Sequence, residues 1–94
     1  MGILALGSVV ILRGTAKKLM VVSRAVGVKH QGKIKEFEYA GCSYPEGVTS
    51  EELIFFNIDD VGKVVFEGYK DDTSLILEES IKEWTKDKKI TEGE

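Results

Sequence analysis

The sequence lacks a hydrophobic run long enough to cross a membrane. Its longest uncharged apolar stretch, Met1–Leu12, is interrupted by Gly2, Gly7 and Ser8, whereas a membrane-spanning helix needs about 20 such residues. The N-terminal region also lacks the Lys or Arg and the small-residue cleavage site of a secretory signal. These absences predict a protein without a membrane span that stays in the cytoplasm.

Cysteine and histidine each occur once, as Cys42 and His30. A lone cysteine cannot form an internal disulfide, which fits a reducing compartment. One His and one Cys supply too few soft ligands for zinc, and a Cys–His nucleophilic pair needs a third residue to hold it. We therefore interpret Cys42 as a small buried hydrophobic residue and His30 as a solvated turn residue.

Motifs for phosphate binding and for catalysis are also missing. The glycine spacings match neither GxGxxG nor GxxxxGK[ST]. The adjacent carboxylates Asp59 and Asp60 could do acid–base work or hold Ca²⁺ or Mg²⁺, but no EF-hand-like loop surrounds them. A turn with solvated acids is the favoured interpretation. We therefore expect no catalytic residue, no metal site and no cofactor, and hence no enzyme activity.

The net charge is −3 and is unevenly distributed. Residues 1–47 contain seven basic and three acidic residues, a balance of +4, whereas residues 48–94 contain six basic and thirteen acidic residues, a balance of −7. Because nucleic-acid binding draws most of its affinity from basic patches, this composition disfavours a nucleic-acid partner. The acidic second half favours a protein partner with a basic patch, guided by electrostatic steering.

Short runs of β-branched and aromatic residues, separated by glycine, proline and aspartate, predict five strands. These strands are Ser8–Arg13, Lys18–Val26, Lys33–Cys42, Leu53–Asn57 and Lys63–Tyr69. The glycine-bounded segment 27–32 reads as a polar turn. In Tyr44–Gly47, Pro45 fits the second position of a type I or II turn.

The pattern changes after Tyr69. The cluster Asp71–Ser74 suits a helix N-terminus, and Leu77, Ile81 and Trp84 then recur at helical spacing. A helix is expected over about 73–88, with a frayed tail over 89–94. Together these elements predict one α+β domain over residues 1–94, strand-rich over 7–69. Its five short antiparallel strands form a strongly bent sheet or small open barrel with one C-terminal amphipathic helix.

Five blocks of the sequence carry a resemblance to a known family. They are Gly7–Gly14, Lys18–Val22, Tyr39–Gly47, Phe56–Val61 and Val64–Tyr69. In this order they resemble a family of small proteins of unknown function from Gram-positive bacteria. Its members are often encoded beside type VII (ESX-like) secretion components and the LXG-type toxins that those systems export. The family has no established catalytic residues, and the resemblance implies a cytoplasmic accessory protein of a secretion or toxin locus.

Three functions are compatible with these features. The first is a non-catalytic adaptor or chaperone that binds a helical secreted toxin or a neighbouring small secretion protein. The second is an immunity or regulatory protein that masks a toxin, and the third is a small barrel that binds nucleic acid, or a minor enzyme. Exposed turns are the expected sites of protein contact, namely Tyr44, Pro45 and Glu46 in one turn and Asp59 and Asp60 in another. An unpaired strand edge also allows a homo-oligomer.

Overall fold

The computed structural model describes residues 3–49 and 53–92. In this part of the chain there are five strands, one short 3-10 helix and one α-helix. They are β1 (Val9–Leu12), β2 (Lys18–His30), β3 (Lys33–Ser43), β4 (Ile54–Phe56), the 3-10 helix Ile58–Asp60, β5 (Val61–Phe66) and α1 (Asp72–Glu92). The predicted α+β class and the predicted order of elements are confirmed.

The strands form one open antiparallel sheet in the order β4-β3-β2-β1-β5. The sheet does not close into a barrel, and β4 and β5 are its edges. β2 has 13 residues and β3 has 11, so the expectation of five short strands is wrong for this pair. β1, the first apolar run of the sequence, lies between β2 and β5.

The hairpin of β2 and β3 is longer than the sequence indicates. Pairing with β3 continues to His30, so the predicted turn is present at 31–32 but is wrong over 27–30, and His30 is the last residue of β2 and not a turn residue. Gln31 and Gly32 alone reverse the chain, with φ of 51° and 78°, which suits a two-residue hairpin loop. Gly27 has a weak preference for strands, but pairing with β3 along its full length keeps this residue in β2. The side chain of His30 lies outside the described part of the structure.

The main core lies on one face of the sheet, which we call the core face. Its buried members come from the strands and the N-terminal segment: Leu4, Val10, Leu19, Val21, Tyr39, Phe56 and Val61. The rings of Tyr39 and Phe56 stack with centroids 5.5 Å apart. The backbone N–H of Leu4 donates to the Tyr39 hydroxyl at 3.0 Å, which holds the N-terminal segment over this face.

α1 begins where the capping pattern predicts. The backbone N–H of Ser74 donates to the Asp71 carboxylate at 3.1 Å, and the N–H of Leu75 donates to the Asp71 carbonyl at 3.1 Å. Asp71 is therefore the N-cap residue, and it satisfies donors that the first helical turn leaves without a partner.

The inward side of α1 differs from the expected apolar stripe. Glu78 and Ile81 are buried, whereas Leu77 is 48 % exposed, so the predicted stripe is wrong at Leu77. A glutamate takes the inward position because basic side chains from elsewhere in the fold neutralise it. The helix also extends to Glu92, beyond its expected end near residue 88, and residues 93–94 lie outside the described part.

Candidate protein-binding surface

The turn that carries Tyr44, Pro45 and Glu46 follows β3 directly. The backbone N–H of Gly47 donates to the Ser43 carbonyl at 2.7 Å, so the turn closes over three residues. The predicted type I or II turn, which closes over two, is therefore wrong; the Tyr44–Pro45 peptide bond is cis. Tyr44, Pro45 and Glu46 are all exposed, as expected for a contact surface.

Asp59 and Asp60 lie in the 3-10 helix before β5 and are also exposed. The Asp60 carboxylate accepts the backbone N–H of Asn57 at 2.9 Å. The backbone N–H of Arg13 donates to the Asp60 carbonyl at 2.8 Å, and the Arg13 Nε donates to the Asp59 carbonyl at 2.9 Å. The backbone carbonyls of this turn therefore hold the end of β1 in place by accepting two hydrogen bonds from Arg13.

An apolar row crosses the sheet on the side away from the core face. The register pairs Val9 with Met20 on one side and with Phe66 on the other, and it pairs Met20 with Cys42. Directly paired residues of an antiparallel sheet lie on the same face. Val10 belongs to the core, and successive side chains of a strand alternate, so the row occupies the opposite face.

We call the surface made of Val9, Met20, Tyr44, Val65 and Phe66 the Phe66 face. A groove of about 380 Å³ lies on it, lined by these five residues together with Gly7 and Lys18. Of the residues expected from the sequence to contact a partner, Tyr44 lines this groove, whereas Asp59 and Asp60 belong to the turn at Arg13. Apolar grooves with a few polar groups at their margin are typical binding sites.

The exposure of Phe66 follows from its place on an edge strand with a bulge. β5 pairs Phe66 with Val9 and Val64 with Val10, so Val65 is the extra residue between two pairs. Bulges re-aim side chains next to them, and here Phe66 is 61 % and Val65 43 % exposed. Sequence analysis missed this face because a bulge leaves no mark in the local pattern. The sequence feature that could have indicated this face is the run of three apolar residues at 64–66, because they cannot all point to the core from one edge strand.

On the core face a buried ion pair fastens α1 to β2. Arg24 Nη1 lies 3.4 Å from Glu78 Oε2, and both side chains are almost fully buried. Arg24 Nη2 donates to the Ser74 hydroxyl at 3.3 Å, and that hydroxyl donates to Glu78 at 3.0 Å. Arg24 Nη1 also donates to the Leu4 carbonyl at 3.3 Å. One guanidinium therefore holds β2, α1 and the N-terminal segment together.

Lys70 adds a second cation to this cluster. Its Nζ donates to Glu78 Oε1 at 3.1 Å and to the Ile3 carbonyl. Burial opposes ionisation of Glu78, but hydrogen bonds from Lys70 and Ser74 and the charges of Lys70 and Arg24 outweigh it. Together they hold the pKa of the Glu78 carboxyl below its ordinary value. The buried Glu78 carboxylate is paired with both cations, so the cluster links α1 to the rest of the fold.

The structure also gives the environment of Cys42 and the distribution of possible metal ligands among the described residues. Cys42 is free and buried, which confirms its interpretation as a small buried hydrophobic residue. Among the residues that the structure describes, no group of three or more His, Cys, Asp or Glu could hold a metal ion. Within the same residues, no helix is long and apolar enough to span a membrane.

Comparison with known proteins gives a family without a known activity. Residues 3–77 match the domain of unknown function DUF4176, a stretch that contains all five strands and the first six residues of α1. No curated protein and no solved structure matches the chain. The resemblance inferred from the sequence is confirmed in that the family is one of unknown function. Because the match covers most of the chain, the protein belongs to the DUF4176 family.

Proposed function

We propose that this protein is a non-catalytic accessory factor that binds another protein through the Phe66 face. The observation that carries the proposal is that Phe66, the last residue of an apolar cross-strand row, is 61 % exposed. Burying such a side chain fully is worth about 1.5–3 kcal/mol, and large aromatic residues in a groove are frequent anchors of protein interfaces. A partner that covers this face gains the share of that free energy that belongs to the exposed part of Phe66.

The groove suits an α-helix of the partner. The Phe66 face extends over β5, β1 and β2, so two spacings between strands give it a width of about 10 Å. An α-helix with its side chains is about 10–12 Å across. Docking of an amphipathic helix into an apolar groove is a common mode of recognition. This fit favours a helical segment over an extended one as the occupant of the groove.

We further propose that the partner is a helical toxin exported by a type VII secretion system, for which this protein acts as a cytoplasmic adaptor or chaperone. The support is the sequence resemblance to accessory proteins of such loci, together with a groove that suits a helix. Shielding an apolar helix before export would use the Phe66 face without any catalytic step.

Co-expression with the LXG-type toxin encoded nearest to this gene tests the proposal. We expect the tagged wild-type protein to co-purify with the toxin as a stoichiometric complex, and a toxin from an unrelated locus serves as the control. Failure of the two proteins to associate at micromolar concentration would remove the proposal. Deletion of the gene separates the roles: loss of an adaptor abolishes toxin export and spares the cell, whereas loss of an immunity protein makes the cell sensitive to its toxin.

A further inference from the structure

Two lysines border one end of the Phe66 face. The register pairs Ile11 of β1 with Lys18 on one side and with Lys63 on the other. Ile11 lies two residues after Val9 on the same strand, so this second row shares the face of the apolar row. Lys18 also lines the groove itself. The apolar surface therefore ends in a pair of cations separated by one isoleucine.

Neither lysine is neutralised within the described part of the chain. Lys18 and Lys63 are exposed, and the ion pairs found among the described residues are Arg24–Glu78, Lys70–Glu78 and Lys82–Glu79. Exposed uncompensated charges at the rim of an interface steer association and select partners by complementarity. The local charge beside the groove is thus opposite to the net charge of the chain.

We propose that the helix bound by the Phe66 face carries Asp or Glu residues at one end of its apolar stripe, an inference that rests on the proposed function. These carboxylates lie against Lys18 and Lys63 when the stripe covers Phe66. The inference reverses the expectation from composition, which favoured a partner with a basic patch. The acidic residues that the structure describes in the second half do not line this groove, whose charged lining residue is Lys18.

The lining of the groove favours a protein over a nucleic acid. Met20 and Val65 present thioether and aliphatic surface, which a sugar–phosphate backbone does not complement. Two lysines are also few for a nucleic-acid site, whose affinity rises with the number of neutralised phosphates. Tyr44 and Phe66 could stack on bases, so a single-stranded oligonucleotide belongs in the test as a competitor.

The test measures the dissociation constant of the purified toxin for four forms of the full-length protein. They are the wild type, the double variant Lys18→Glu/Lys63→Glu, the control Lys29→Glu/Lys33→Glu and Phe66→Ser. Lys29 and Lys33 are exposed lysines near the tip of the β2–β3 hairpin, so the two double variants have the same net charge. We expect Lys18→Glu/Lys63→Glu to weaken binding by about tenfold or more, since each reversed charge pair at the rim contributes modestly. We expect the control Lys29→Glu/Lys33→Glu to bind like the wild type.

A charge exchange makes the test reciprocal. Replacing the acidic residues beside the toxin's apolar stripe by Lys should restore binding to Lys18→Glu/Lys63→Glu and weaken binding to the wild type. Raising the salt concentration from about 50 mM to about 500 mM should weaken the wild-type complex more than that of the double variant.

The possible results separate the two proposals. If Phe66→Ser weakens binding and Lys18→Glu/Lys63→Glu does not, the binding face stands and the inference about partner charge is wrong. Equal weakening by both double variants would show an effect of net charge alone, which also overturns the inference. Displacement of the toxin by a single-stranded oligonucleotide would assign the lysines to nucleic acid. If the wild type does not bind the toxin, both proposals fail.

Discussion

Arg24 and Glu78 are separated by 54 residues in the sequence, and their side chains lie 3.4 Å apart in the structure. This contact joins the longest strand to the C-terminal helix on the core face. It also explains why α1 and the N-terminal segment do not cover the Phe66 face, because both are held on the other side of the sheet.

The first prediction concerns removal of the buried charge on α1. Glu78→Gln leaves the Arg24 guanidinium buried without its counter-ion, which is expected to lower the free energy of unfolding by about 3 kcal/mol. Urea denaturation at neutral pH measures the change. The matched control is Glu79→Gln, the same substitution one residue later on a side chain that is 77 % exposed, where a change within about 0.5 kcal/mol is expected. Equal effects of the two variants would contradict the role given to Glu78.

The second prediction concerns how the free energy of unfolding depends on Glu78 at low pH. The pKa of Glu78 is lowered in the folded state, so its contribution to stability is fully present above the ordinary carboxyl pKa. That contribution is lost as the pH falls through the lowered value. The difference in unfolding free energy between wild type and Glu78→Gln should therefore be constant near neutral pH and shrink in acid. A difference that stayed constant down to pH values of about 2 would show that the charge of Glu78 is not responsible.

The agreement between sequence and structure is best where the signal is local. The cap at Asp71 and the apolar run of β1 were predicted because adjacent residues determine them. The orientation of α1 was predicted less well, since the burial of Glu78 depends on Arg24 and Lys70, which the sequence pattern of the helix does not reveal. From the sequence alone, a charged residue of a helix is predicted to face solvent. Only the positions of its distant partners show that it is buried.

The Phe66 face shows the same difference between local and long-range determinants. Tyr44 was predicted because large side chains on turns are accessible, and the structure places it beside the groove. Phe66 and Met20 were assigned only to strands, because strand order decides which residues become neighbours across the sheet. The pairing of β5 with β1, whose partners are 49 to 57 residues apart in sequence, and the bulge at Val65 cannot be deduced from the local pattern.

The third prediction concerns the close packing of Gly68 against the N-terminal segment. A Cβ atom at Gly68 would lie 2.1 Å from the Leu6 carbonyl oxygen, and the Gly68 N–H donates to the Ser8 hydroxyl at 3.0 Å. Gly68→Ala should therefore lower the free energy of unfolding by about 1–3 kcal/mol. Gly27→Ala is the control, because its Cβ would meet Ile34 at an ordinary 3.5 Å. Thermal or urea unfolding that ranks the two variants equally would contradict this packing.

If Phe66 anchors a protein partner, the Phe66→Ser variant must bind the co-purified toxin more weakly than the wild type does. Phe66 is mostly exposed, so the variant should fold with near wild-type stability. Ile34→Ser is the matched control, since Ile34 is 71 % exposed on β3 and lies outside the Phe66 face. We expect Phe66→Ser to raise the dissociation constant by about thirtyfold, as for an interface anchor worth about 2 kcal/mol, and Ile34→Ser to leave it unchanged. Binding of Phe66→Ser with wild-type affinity, or equal weakening by both variants, would show that Phe66 does not anchor the partner.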